Sequence, residues 1–113
     1  MRRGEIFVAS FPFGDGAVMK LRPVLLLSGP VGIGTEIVVA YISSVVPPTL
    51  LGSDILLDPA QPDHRTTRLK AASVLRLHKL ATIHASSLQR RLGKISTSTQ
   101  QDVTDKLRTL FGL

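Results

Sequence analysis

The chain contains no cysteine, which excludes disulfide staples, thiolate zinc sites and a cysteine nucleophile, and is fully compatible with a reducing compartment. Tryptophan is also absent, and the aromatic residues together make up only 4% of the chain. A protein that binds nucleic acid by stacking successive bases on aromatic platforms carries more, so a grip on RNA has to rest on charge and backbone groups. Long apolar runs are missing too. The longest, at residues 24–27 and 37–40, fall far short of the roughly 20 residues of a membrane helix. The few apolar residues between Glu5 and Pro12 are too short for the apolar region of a signal peptide. The expectation is a soluble, cytoplasmic protein with no membrane association.

What is present suits one small folded unit. A length of 113 residues fits a single domain spanning 1–113 and no second one. The apolar share of 43% is enough to build a core rather than a disordered chain. Lys and Arg number 14 against 8 Asp and Glu, a net charge of +6. That excess favours a polyanionic partner, because neutralised phosphates release counterions.

Short strands dominate the pattern, and one helix ends it. Residues 5–11 alternate as a first strand, and Pro12, with no N–H to donate, ends its ladder. Residues 13–17, Phe-Gly-Asp-Gly-Ala, are turn chemistry. Further strands are expected at 23–28, 36–43, 53–57, 73–84 (bent midway) and 92–95, with a long loop at 58–71 holding one helical turn and a single turn at 86–89. The glycine-rich stretch at 29–34 lacks the Lys-Ser/Thr ending of a phosphate-binding loop and leads into a strand rather than a helix. Val103, Leu107, Leu110 and Phe111 then recur as the apolar stripe of an amphipathic helix. Ser98 with Gln101 is the expected capping box and Gly112 the C-terminal cap. The fold class is mainly β: five to seven antiparallel strands, strongly bent or closed into a small barrel, with a C-terminal α-helix.

Three segments resemble one family. Arg3-Gly4-Glu5-Ile6 with Phe11-Pro12-Phe13-Gly14-Asp15-Gly16, then Lys20-Leu21-Arg22-Pro23 with its apolar run to Ser28, then Val38 to Ile42 with Ser43-Ser44, resemble the opening strands of MazF/PemK toxins. The cadence from Leu69 to Ile95 and the ending Leu110-Phe111-Gly112-Leu113 also fit, so the resemblance spans nearly the whole chain. It implies an SH3-like barrel that dimerises, cleaves single-stranded RNA at short sequences without a metal or other cofactor, and is blocked by a cognate antitoxin. A gyrase poison shares that fold without being a nuclease. A non-catalytic toxin that targets a protein, and a plain RNA-binding module, are therefore the competing readings.

Metal-free RNA cleavage uses the 2′-hydroxyl against the adjacent phosphate. The enzyme must fix that geometry and stabilise the extra negative charge. A planar guanidinium suits the charge, since it can donate two parallel hydrogen bonds to phosphate oxygens. Arg22, expected just before a strand that opens with Pro23, has its backbone held extended. By resemblance it is the family's catalytic arginine. Ser43 falls where the family carries Thr or Ser, with Ser44 as the alternative hydroxyl. Lys20, Asp15, Pro23, Ser44 and Lys79 complete the expected RNA-binding set, and no metal site is expected.

Arginine stays protonated at neutral pH and is a poor base, which directs attention to the histidines. His64 lies in the long loop, and His78 and His84 share one parity of the long strand with Arg76. They read either as an acid–base pair or as the outer face of an amphipathic strand. His78 and Lys79 stand where relatives often carry Glu-Gln or Asp-Gln, and His84 where Asp is common. Lys79 also shares the parity of Leu75, Leu77, Ala81 and Ile83, so it is expected to face inward unless a bulge turns it away.

Overall fold

A computed structural model describes residues 1–11 and 18–113; the turn expected at 13–17, and Asp15 with it, lie outside the described residues. Six strands form: β1 (Glu5–Phe11), β2 (Lys20–Leu26), β3 (Glu36–Ser43), β4 (Asp54–Leu57), β5 (Ser73–His84) and β6 (Leu88–Lys94). Short 3₁₀ turns at Pro62–Thr67 and Ala85–Ser87 flank β5, and α1 (Thr97–Phe111) closes the chain. The strands make one sheet in the order β4-β5-β3-β2-β1-β6, and every neighbouring pair is antiparallel. This is the mainly-β fold of antiparallel strands with a C-terminal helix that the sequence implies.

Two strands differ from expectation by three residues or more at their starts. β2 begins at Lys20 rather than at Pro23, because β1 pairs it from Phe11↔Lys20 onward. Its other ladder, to β3, starts only at Val24↔Tyr41. Pro23 is thus inside the strand but beside the stretch that lacks β3, an edge position that tolerates a missing N–H. β6 begins at Leu88, four residues before its expected start, since β1 pairs it as far as Ala9↔Leu88 through two register shifts.

The helix cap moved as well. Ser96, extended at φ −70° and ψ 165°, caps α1 by accepting the Thr99 N–H at 3.1 Å. Ser98, the expected cap, instead donates its hydroxyl to Asp63 at 3.0 Å, tying the first helical turn to the 3₁₀ turn. Gly112 caps the C-terminus in the left-handed region at φ 68°, as expected. Of the apolar stripe, Val103 is fully buried and Leu107 packs against the core, but Leu110 and Phe111 are exposed. The last turn runs past the sheet.

Apolar side chains gather on both sheet faces. Ile6, Leu25, Ala40, Ile42, Leu75 and Leu77 meet Val103 of the helix in one cluster. Ala9, Val24, Leu26, Ile37, Val39 and Ile83 form the other. β5 serves both, because it is bulged. Ala40 pairs with Leu80 and Tyr41 with Arg76, so residues 77–79 have no partner on β3. An odd number of extra residues swaps the faces of a strand. Leu75 and Leu77 therefore enter the helix-side cluster, while Ile83 enters the other, with Ala81 packed against it. The shared parity read from sequence is real, but it spans two faces, and Lys79 sits at the switch, exposed.

β6 crosses the first 3₁₀ turn so closely that a Cβ on Gly93 would overlap the backbone carbonyl oxygens of Thr66 and Thr67. Gly93→Ala should therefore destabilise the fold by about 1–3 kcal/mol, the usual cost of overpacking against backbone. Urea denaturation will measure it as a lower midpoint.

Candidate active site

Cross-strand partners in an antiparallel sheet share a face, and two levels on one face, two residues apart along the strands, build the site. The first runs Phe7–Val24–Tyr41–Arg76–Asp54 across five strands. In the second, Ala9 opposes Arg22 and Ser43 opposes Val74. Continuing the β2–β3 register by two residues beyond Val24↔Tyr41 sets Arg22 across from Ser43. The ladder stops before that point, so the two strands part. The gap is a cleft of about 240 Å³ lined by Lys20, Arg22, Tyr41, Ser43, Arg76 and Lys79, together with Ile42. Four of these side chains are cationic and none is acidic.

Each expected residue can be placed. Arg22 is exposed, and its Nη1 donates to the carbonyl of Leu21 at 3.0 Å. Among the described residues its guanidinium makes no ion pair. The Ser43 hydroxyl oxygen accepts the Val45 N–H at 3.1 Å, which holds the serine in the turn that leaves β3. Ser44 and Pro23 lie elsewhere, in a second groove of about 520 Å³ that also receives Arg22, Arg68, Lys70 and Arg90. The structure therefore brings Lys20, Arg22, Ser43 and Lys79 together, and separates Ser44 and Pro23 from Ser43.

A family model for PemK-like, MazF-like toxins of type II toxin–antitoxin systems matches residues 2–111. The chain belongs to that toxin family. A comparison with curated proteins finds no match. Among solved structures, the Mycobacterium tuberculosis toxin MazF-mt6 superimposes with a TM-score of 0.74 at 24% identity, over 96% of this chain and 97% of that one. An endoribonuclease in complex with its cognate antitoxin, from a mycobacterial species, gives 0.71 at 15% identity, over 100% and 96%. The same arrangement of strands thus carries quite different sequences.

In this toxin the histidines stay out of the cleft. His84 pairs with Glu36 at the far end of β3 and caps the second 3₁₀ turn, its Nδ1 accepting the Ser86 N–H at 3.1 Å. His64 lies in the first 3₁₀ turn, its Nδ1 buried and without a partner among the described residues. His78 Nδ1 shares a 2.8 Å hydrogen bond with the Ser53 hydroxyl and lies 3.9 Å from Asp54 Oδ1. Serine and aspartate approach the same ring nitrogen, so the relay of a serine hydrolase, which uses both nitrogens, is not formed. The acid–base pair of histidines is therefore not assembled. Among the described residues no group of three or more His, Cys, Asp or Glu converges as metal ligands, and no helix is long and apolar enough to cross a membrane.

Three residues of the site were not singled out from sequence: Tyr41, Arg76 and Asp54. Arg76 shares parity with His78 and His84 and so reads as an outer-face residue; its partner Asp54 lies 22 positions away, on another strand. Arg76 Nε donates to Asp54 Oδ1 at 3.0 Å and Nη2 to Oδ2 at 3.3 Å. Burial pushes the Tyr41 phenol above its ordinary value, so it stays neutral at neutral pH. Burial would also raise Asp54, but the Arg76 bonds and the Leu51 N–H outweigh it and hold the carboxyl below its ordinary value.

A carboxyl with a depressed folded pKa adds stability that is fully present above its ordinary value and lost as pH falls through the folded one. Asp54→Asn should therefore flatten the acid limb of the stability curve. Urea midpoints at neutral pH and near pH 3 will show a smaller difference for the variant than for the native chain.

Proposed function

We propose that this toxin is an endoribonuclease that cuts single-stranded RNA by attack of a 2′-hydroxyl on the adjacent phosphate, without a metal. One observation carries the reading. Arg22, with no ion pair among the described residues, faces Ser43 across a cleft that four cationic side chains line and no acidic one does. A guanidinium already paired with a carboxylate would have to break that bond before meeting a phosphate; among the described residues Arg22 has no such partner. Its forked donors fit two non-bridging oxygens and oppose the charge that grows on them in the transition state. It stays protonated at neutral pH, so its work is charge stabilisation and alignment.

Ser43 assists from the opposite wall. Its oxygen accepts the Val45 N–H at 3.1 Å, and its hydroxyl donates a long bond of 3.4 Å to the Val45 carbonyl, which a phosphate oxygen or the 2′-oxygen displaces. Lys20 and Lys79 extend the positive lining and hold neighbouring phosphates. Ser44 and Pro23 contact RNA from the adjoining groove, over which the strand passes at Arg22. Asp15 belongs to the same RNA-binding set.

The toxin works as one domain over residues 1–113, as a homodimer in the cytoplasm, and a cognate antitoxin restrains it. One structural neighbour was solved as an endoribonuclease with its antitoxin bound, and the family is defined by such pairs.

The test is incubation of the purified protein with single-stranded RNAs of varied sequence in excess chelator. Cleavage should persist, with 2′,3′-cyclic phosphate ends. Arg22→Ala should slow it by about 10²–10³-fold, the usual loss when one oxyanion donor goes. Ser43→Ala should cost more than Ser44→Ala. Intact RNA throughout, or undiminished cutting by Arg22→Ala, would sink the reading.

A further inference from the structure

The Arg76–Asp54 pair lies in the cleft wall, and none of the steps above uses it. We infer that Arg76, oriented by Asp54, is a second phosphate-binding guanidinium, contacting a phosphate next to the one that Arg22 holds. The inference rests on the RNA-cleaving reading and deepens it.

Geometry comes first. Arg76 stands opposite Tyr41 on β3 and Asp54 on β4, two residues along the strands from the level of Arg22 and Ser43, and it lines the same cleft. Its side chain keeps 20% exposure, whereas that of Asp54 has none. The pair is therefore polarised, with the carboxylate sealed behind and the guanidinium at the cleft surface. Asp54 engages Nε and Nη2, one side of the five-donor fork. The Nη1 side is left uncommitted to Asp54.

Electrostatics explains why a buried carboxylate belongs behind this arginine. Lys20, Arg22 and Lys79 share the cleft, and their repulsion would drive a free arginine side chain outward into water. Asp54 offsets that repulsion and fixes the plane of the fork. Its Oδ2 also accepts the Leu51 N–H at 2.9 Å, and His78 Nδ1 lies 3.9 Å from its Oδ1. A fork held by a carboxylate beside one with no ion pair among the described residues suits two successive phosphates of a single strand. Asp54 is thus a positioning residue and Arg76 the one that touches RNA.

The rival is a purely structural ion pair joining β4 to β5. Salt dependence separates the two, because each phosphate contact on single-stranded nucleic acid adds about 0.7 to the slope of log affinity against log salt. The probe is 2′-O-methylated single-stranded RNA, which binds but cannot be cut, titrated across ionic strength with thermal melts in parallel. Arg76→Gln keeps the stem and an amide that still reaches Asp54. It should bind about tenfold more weakly at low salt, as for loss of one charged hydrogen-bonding group, with a slope shallower by about 0.7. Arg76→Lys should restore the slope without the full affinity. Asp54→Asn should raise KM for cleavable RNA while keeping the slope. A native slope in a folded Arg76→Gln, with only the melting temperature lowered, overturns the inference. A native chain that neither binds nor cuts RNA overturns the nuclease reading itself.

Discussion

The ladder between β2 and β3 stops at Val24 and Tyr41, and what this toxin offers to a substrate depends on that stop. Two residues further, the ladder has ended, and Arg22 and Ser43 line a cleft instead of forming a hydrogen-bonded pair. Below the stop the sheet is apolar and closed on the same face, with Val24, Leu26, Ile37 and Val39 fully buried. The cleft is therefore mounted on the rim of a rigid core, the placement that holds catalytic side chains within narrow tolerances. Pro23 fits this design because it sits where β2 has a partner on one side only.

The bulge in β5 is the second constraint, and it serves the first. By inserting residues 77–79 against β3, it lets one strand supply leucines to the helix-side cluster and Ile83, with Ala81, to the opposite one. It also turns Lys79, which strict alternation would bury, toward the cleft. A buried, unpaired ammonium is costly enough that a fold avoids it or neutralises it. Here the backbone rotates it out. His78, in the same bulge, is drawn to Ser53 and Asp54 and leaves the cleft to the cations.

Stretches of the chain differ in how plainly their role could be read. The strands at 36–43 and 73–84, and the helix, were legible because apolar periodicity survives wherever one face packs on a core. Arg22, Ser43 and Lys20 were legible through a pattern of residues in order along the chain. Boundaries were less so. The start of β2 was obscured because Lys20 to Arg22 are exposed, and pairing to β1 leaves no apolar signature there. Ser98 looked like a cap because cap residues are recognised by type, whereas the cap is chosen by which serine has extended dihedrals, and that was Ser96.

Sequence alone determined the class of fold, the basic character of the chain and the absence of thiol chemistry, and its family resemblance singled out Arg22 as the arginine proposed for the site. All of these follow from composition or from patterns local enough to survive without coordinates. Tertiary structure decided the rest: that Ser43 lines the cleft with Lys20 and Arg22 while Ser44 lines the adjoining groove that Arg22 also enters, that Lys79 is turned outward, that the histidines stand apart, and that Asp54 backs Arg76. Each of these depends on register between strands far apart in the chain. Register is set by how the two cores fill together, and no window along the sequence contains it.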